Sequence, residues 1–478
     1  MNPQAKVFER DEEMLTPASK INNLLTCHSF LINFGVTGNA YDFLSLERLN
    51  SFFQDNDGWT FGHETFFDLA IQKPGHAADE YLFLSWLMSS AIRFGIDGLL
   101  QFPVYNKYRI GLVTNDAATT SRGALSRLAL VEKGFRIVKL FSAEHGLSAS
   151  AADGVSQPDG TDVITGLPAI SLYGDHLAPT EEDLADIDLV VYDLPDIGCR
   201  FYTYQWTLSY IMESCSNFNK PLLILDRPNP LSGNLLLSEG PMLDEANCSS
   251  FIGRWTMPLR HSCTIGELAS YWNDLKKLNV DLQIVKMEHW DRKNFFSDLG
   301  IAFVPTSPAL PYFTIAVLYP GTGLLEGVNI SEGRGTPYPF KICGAPFINS
   351  GQLTQAFNAL AIPGIKASSY NFVPASGKYE RQNCQGMMLH ITDQLVLRPV
   401  TIGLTIINLL INLYPAKITE HAYKTAANPT GEKHLEKLTG MSGIWSVLQQ
   451  EVVTFQMNLP EMVGVSEWEP TMEPWLLY

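Results

Sequence analysis

The chain has 478 residues, 46% hydrophobic and 17% charged, which is ordinary globular composition with ample length for a buried core. At roughly 100–200 residues per domain, two or three domains are expected. The formal net charge of −17 is spread along the chain, which argues against non-specific binding to nucleic acid or to an anionic membrane surface.

The opening stretch, MNPQAKVFERDEEMLTPASK, lacks the basic region and apolar run of a secretory signal, so a cytoplasmic location is expected. Residues 1–92 carry many aromatics (Phe30, Phe34, Phe52, Phe53, Trp59) and read as a mostly helical N-terminal extension. From about residue 105, short apolar runs alternate with helical stretches. Arg109–Thr114, Arg136–Phe141, Asp188–Asp193 and Pro221–Leu225 read as strands. Ala124–Lys133 and Tyr204–Ser216 read as helices between them. Buried strands separated by helices imply a parallel sheet, so residues 93–309 are expected to form a Rossmann-like α/β domain. Pro and Gly cluster between Val304 and Pro346. A helix near Gly351–Leu360, a strand near Gly386–Thr392 and a helix near Thr401–Leu413 then predict a second, smaller α+β domain over 310–478 that completes a cleft. The apolar stretch Thr401–Tyr414 is too short to span a membrane and reads as a buried helix.

Several chemistries lack their sequence signatures. The seven cysteines (Cys27, Cys199, Cys215, Cys248, Cys263, Cys343, Cys384) form no CxxC pair, so no structural zinc site is expected and a reducing compartment suits them. No GxGxxG follows the first strand, and no GxxxxGK[ST], HExxH or GxSxG occurs. No metal or cofactor is therefore expected. What remains are carboxylates, arginines and histidines at strand ends, where open α/β sheets bind ligands.

Asn115 follows the first strand, and Glu144-His145-Gly146 follows the second. A partly desolvated carboxyl in a cleft holds its proton to higher pH and can donate it; the competing reading is a cap or salt bridge. Asp193, Asp196, Arg200 and Tyr202 combine acids, a guanidinium fork and an aromatic ring, the groups that recognise sugars, though an internal Asp–Arg brace would use the same residues. Arg227 and Asn229 sit in a similar but proline-rich turn, Asp226–Pro230. Arg260 and His261 precede Thr264-Ile-Gly-Glu267, a helix capping box, so Thr264 and Glu267 are assigned to structure. Tyr319–Phe340 mixes glycines with Glu326, Asn329, Glu332 and Arg334, more ionisable groups than a structural loop needs.

These segments stand in order as FSAEHG (141–146), DLPDIGCRFYTY (193–204), LDRPNP (225–230), RHSCTIGE (260–267), TSPA (306–309) and LLEGVNISEGRGT (324–336). In that order they resemble the NamZ-type exo-β-N-acetylmuramidases, over about four-fifths of the chain from Gly95 onward. The chain departs from the family pattern at Pro195, Ala309, Ser262-Cys263 and Leu147-Ser148-Ala149, and in its long N-terminal extension.

The resemblance implies a Rossmann-like domain with a smaller C-terminal domain and a site between them. It implies a glycoside hydrolase that releases N-acetylmuramic acid from the non-reducing end of peptidoglycan fragments, with Glu144 as the catalytic acid and His145 beside it. Glycoside hydrolysis usually needs a second carboxylate, for which Glu326, Glu332, Asp193 and Asp196 are all open. The lactyl carboxylate of the muramyl sugar requires a cation, and Arg200, Arg227, Arg260 and Arg334 are the expected choices, Arg334 and Arg200 first. The alternative from another class is a relative that binds a muramyl sugar or peptidoglycan fragment without cleaving it. With no metal-binding or phosphate-binding motif in the sequence, dialysis against EDTA is expected to leave hydrolysis of a muramide unchanged; loss of activity restored by a divalent ion would reverse that expectation.

Overall fold

The computed structural model describes residues 91–478; the helical extension expected over 1–92 lies outside them, residues 91 and 92 aside. A seven-stranded sheet is built from β1 (Ile110–Val113), β2 (Ile137–Ser142), β3 (Gly160–Thr161), β4 (Pro168–Ser171), β5 (Leu189–Tyr192), β6 (Leu222–Leu225) and β7 (Leu282–Val285). Its order is β3-β4-β2-β1-β5-β6-β7. All pairs are parallel except β3 with β4. Every residue of β1, β5 and β6 is buried, which is why these strands are continuous apolar runs rather than alternating ones. The four strands expected from the sequence are all present, each within a residue or two of its expected ends. Strands β3, β4 and β7 were not expected; β3 is only two residues long and β4 and β7 are partly exposed, so their sequences lack the fully apolar signature.

The chain crosses from β1 outward to β2 and β4, then returns to the other side of β1 to build β5, β6 and β7. The strand order therefore reverses between β1 and β5, the position where open α/β sheets commonly bind ligands. Helices α1 (Ser126–Glu132), α2 (Tyr204–Asn217) and α3 (Ile265–Leu275) provide crossovers. Thr264 and Glu267 close a reciprocal capping box at the start of α3, as expected.

Beyond the sheet come α4 (Phe313–Thr322), β8 (Ile342–Ala345), α5 (Ser350–Ala359), β9 (Ile365–Phe372), β10 (Cys384–Ile391), α6 (Pro399–Leu413), α7 (His434–Thr439) and α8 (Val452–Val463). The three strands form a separate antiparallel sheet in the order β8-β10-β9. The fold class is thus α/β, a Rossmann-like sheet with a smaller α+β part. One continuous apolar core joins them, running from Tyr192 and Trp206 through Tyr319 to Leu404 and Leu435.

The Pro/Gly-rich stretch after residue 304 is not all loop: α4 occupies Phe313–Thr322, with Pro320 inside it. The reason is packing. Gly321 faces Gly403 of α6 so closely that a Cβ on Gly321 would stand 1.7 Å from the carbonyl oxygen of Pro399. Here glycine serves close helix approach, whereas Gly333 and Gly335 adopt φ of 84° and 76°, the conformation glycine alone enters without strain. Helix α6 is the buried apolar helix expected, and its start is capped by Glu239, whose carboxylate accepts from the amides of Val400 and Thr401 at 3.3 and 3.0 Å. Among the described residues no helix is long and apolar enough to cross a membrane.

Gly403→Ala is expected to destabilise the fold by about 1–3 kcal/mol, as overpacking does, because its Cβ would meet the Gly321 carbonyl oxygen at 2.1 Å. Gly160→Ala, with nothing within 4 Å of the added carbon, is the control. Thermal midpoints of the two variants check this, and equal midpoints would show that the α4–α6 crossing tolerates separation.

Candidate active site

At the end of β2 the backbone turns sharply, with the Gly146 amide donating to the Ala143 carbonyl at 3.0 Å. His145 and Gly146 both take positive φ, 69° and 70°. A histidine is held in that region at a cost of roughly 1–2 kcal/mol. The anchor is its ring, whose Nδ1 lies 2.8 Å from the Ala151 carbonyl. A carbonyl only accepts, so Nδ1 carries the hydrogen and Nε2 is left as the acceptor. The doubled-back turn places Glu144 and His145 in the wall of a cavity of about 310 Å³ at the carboxyl end of the sheet.

Glu144 is 7% exposed, and both of its oxygens are held. Oε1 accepts from the Gly154 amide at 2.7 Å, and Oε2 from the Thr203 hydroxyl at 2.7 Å. Thr203 stands at the start of α2, immediately before Tyr204. Tyr173 lines the same wall; burial first, and the neighbouring Glu144 carboxylate second, push its hydroxyl far above the usual tyrosine range. Phe201, Tyr202, Tyr319 and Phe340 supply an aromatic face, with ring centroids 4.8–6.1 Å apart in edge-to-face pairs.

The C-terminal part contributes the opposite wall. Arg334 donates to Glu326 Oε1 through Nε at 3.1 Å and Nη2 at 2.7 Å, and to Asp153 Oδ1 through Nη1 at 2.8 Å. Glu332 stands 3.6 Å from Arg334 Nε and also accepts from Lys378 Nζ at 3.1 Å. The Asp153 side chain also accepts from the Tyr423 hydroxyl, and Tyr423 stacks on His434 with centroids 4.9 Å apart. His434 Nε2 lies 3.8 Å from Glu326 Oε2. Burial alone would raise the Glu326 pKa, but Arg334 and His434 outweigh it and hold the carboxyl down at about 2. Glu326 is therefore ionised at any working pH.

Of the residues singled out in the sequence, Glu144, His145, Tyr202, Glu326 and Arg334 line this cavity, and Glu332 stands directly behind it. The others are engaged elsewhere. Arg200 is fully enclosed and donates to the carbonyls of Pro241, Met257 and Leu438. Arg227 pairs with Asp193 at 2.7 Å. Arg260 donates to the Leu231 carbonyl at 2.7 Å and exchanges backbone hydrogen bonds with Glu239. His261 Nε2 lies 3.0 Å from Asp196 Oδ2, which also accepts from the Gly198 amide. Asn115 donates to the Tyr204 hydroxyl, Asn229 closes a turn on Leu231, and Asn329 binds the Lys417 carbonyl and Thr419 amide. The ligand-type residues of 193–200, 226–230 and 260–261 thus brace the loops behind the cavity. Among the described residues no group of three or more His, Cys, Asp or Glu side chains could hold a metal ion.

Sequence reasoning missed Asp153, Gly154, Tyr173, Thr203, Phe251, Tyr423, Asn428, His434 and Lys437, all in the cavity wall. Thr203 lay inside the 193–204 segment and its hydroxyl was a readable signal. Asp153 and Tyr423 are 270 residues apart, and no local pattern pairs them. The departure Ala309 also lines the wall, where it presents a methyl group instead of an amide.

A cavity at the carboxyl end of an α/β sheet, walled by two buried carboxylates and a set of aromatic rings, is the site of a glycoside-hydrolase type of enzyme. The models of the exo-β-N-acetylmuramidase NamZ N-terminal and C-terminal domains match residues 110–314 and 317–478. The chain belongs to this NamZ family of glycoside hydrolases. It is 42% identical over 329 residues to the peptidoglycan β-N-acetylmuramidase NamZ of Bacillus subtilis (strain 168), covering 68% of this chain and 78% of that protein. Two crystal structures of DUF1343 family proteins from Bacteroides fragilis share the fold. One has a TM-score of 0.71 at 28% identity and the other 0.61 at 23%, each covering 81% of this chain and 99% of the other.

Arg334→Met would leave Glu326 and Glu332 buried without their shared cation. Breaking such a pair costs about 3–5 kcal/mol, so a lower thermal midpoint is expected, with turnover of a muramide and of a glucosaminide reduced alike. A variant of unchanged stability that lost the muramide alone would instead make Arg334 a substrate contact.

Proposed function

We propose that this chain releases N-acetylmuramic acid from the non-reducing end of peptidoglycan fragments, with Glu144 as general acid and Glu326 as the second carboxylate. The observation that carries the reading is the pair of hydrogen bonds on Glu144. The Gly154 amide can only donate, so Oε1 is always an acceptor. The Thr203 hydroxyl can turn and accept, so the acidic proton resides on Oε2. When that proton passes to the glycosidic oxygen, the C1–O bond breaks and the shortened glycan leaves with the proton. The Glu144 carboxylate so formed keeps the Gly154 hydrogen bond and regains the one from Thr203, which favours proton release in the transition state. Water then supplies the hydroxyl to C1, and its proton returns to the enzyme.

Glu326 suits the second role because it is ionised and lines the cavity, whereas Glu332 lies behind it and Asp193 and Asp196 are bound into the fold. A fixed negative charge stabilises the positive character that develops at C1 or orients the 2-acetamido group. The His145 Nε2 acceptor, beside Glu144, is available to a sugar hydroxyl. The B. subtilis relative's activity on peptidoglycan supports the substrate class.

Glu144→Gln can accept from the Gly154 amide through its oxygen and donate through its NH2 to a turned Thr203 hydroxyl, but has no acidic proton to give. It is expected to lower kcat by about 10²–10⁴-fold on an N-acetylmuramyl disaccharide, with an unchanged thermal midpoint. A folded variant at near wild-type rate would remove Glu144 from the mechanism. Wild-type chain that binds the disaccharide without cleaving it would be a binding protein.

A further inference from the structure

We propose that Lys437, oriented by Asn428, is the receptor for the lactyl carboxylate that distinguishes N-acetylmuramic acid from N-acetylglucosamine. This deepens the proposed function and rests on it for the identity of the sugar. The two sugars differ by one acidic ether, and a cation whose charge is available to the ligand discriminates between them most strongly.

The cationic side chains in the cavity wall are Arg334, Lys437 and, when protonated, His145 and His434. Arg334 is already compensated. Together with Lys378 it faces three carboxylates, Glu326, Glu332 and Asp153, so this cluster has no positive charge to spare for an incoming anion, whether or not His434 is protonated. His434 stands against Glu326, and His145 gives its Nδ1 hydrogen to a carbonyl. Lys437 makes no ion pair among the described residues. Its Nζ donates to one neutral group, Asn428 Oδ1, at 2.9 Å. An ammonium has three hydrogens to donate, so two remain.

Asn428 adds a second donor. An ammonium never accepts, so the amide atom facing Lys437 is the oxygen, and the Asn428 orientation follows. Its Nδ2 is then turned away, is buried and has no partner. A buried amide donor left without a partner is costly, and a ligand oxygen removes that cost. Ser250, in the same wall, likewise has a buried hydroxyl without a partner. The ammonium and the amide on either end of one hydrogen bond form a two-donor receptor for the two oxygens of a carboxylate. The Asn428 backbone is itself fixed, its N–H donating to Thr425 Oγ1 at 2.9 Å, and its side-chain oxygen is held by Lys437, so the receptor is built before the ligand arrives.

The test compares kcat/KM for a chromogenic N-acetylmuramide and the matching N-acetylglucosaminide in the full chain and in its Lys437→Met and Lys437→Arg variants. Lys437→Met is expected to lower the muramide-to-glucosaminide ratio by at least about tenfold, the size of a charged hydrogen bond, and Lys437→Arg to restore part of it. Thermal midpoints show that each variant is folded. A folded Lys437→Met chain with the wild-type ratio overturns the proposal, as does equal damage to both substrates. If the wild-type chain cleaves neither sugar, the muramidase reading has failed separately. Calorimetric titration with free N-acetylmuramic acid and N-acetylglucosamine then decides the receptor: selective loss of the acid's binding in Lys437→Met supports it, and unchanged binding, or no preference in wild type, overturns it.

Discussion

The Arg334 guanidinium is the contact on which the site depends. It joins Glu326 and Glu332, close in sequence, to Asp153, which lies 181 residues away in the loop after β2. The next residue, Gly154, gives its amide to Glu144. One ion-pair cluster of the C-terminal part therefore fixes the loop that holds the carboxyl of the sheet part. Such a buried cluster adds little net stability over a well-packed apolar equivalent, because desolvating the charges offsets their attraction. What it supplies is position: Glu326 is kept ionised, and the two carboxylates are locked into opposite walls of one cavity.

Around that contact the fold separates support from chemistry. The residues at the ends of β1, β5 and β6, Asn115, Asp193 and Asp226, are fully buried and pin neighbouring elements. Asp226 accepts from Thr264, from the Gly266 amide and from Tyr478, and burial, reinforced by Glu267, pushes its pKa up to about 6. The groups left open to the cavity come instead from the turn after β2, from the start of α2 and from the C-terminal part. The usual rule that ligands meet the carboxyl ends of the strands holds here for Glu144 and His145. Tyr173, two residues beyond β4, joins them, and the ends of β1, β5 and β6 serve as the rigid frame that such a site requires.

The divided supply of the wall also accounts for its charge pattern. Arg200, Arg227 and Arg260 are drawn inward because a planar fork satisfies several carbonyls or carboxylates at once, as Arg200 does with three carbonyls and Arg227 with Asp193. Lys437, His145 and His434 stand in the cavity wall with Arg334. The cation with charge to spare is consequently not one of the arginines that the sequence makes conspicuous.

The sequence by itself determined the parallel sheet, because β1, β5 and β6 are buried on both faces and so are written as unbroken apolar runs. It also determined the α3 capping box, whose partners are three residues apart, the buried helix α6, and through six ordered motifs the family and the place of Glu144. Those features are encoded locally or by a pattern repeated in order. It did not determine which polar residues face the cavity, since a ligand-binding arginine and a bracing one have the same letters and the same neighbours. It did not show α4 either, because Gly321 and Pro320 read as loop until Gly403 of α6 stands against them. Asp153, Tyr423, Asn428, His434 and Lys437 entered the site only through tertiary structure. Their partners lie on a distant segment or in a turn with no motif, and contact across such separations is fixed by packing, not by spacing along the chain.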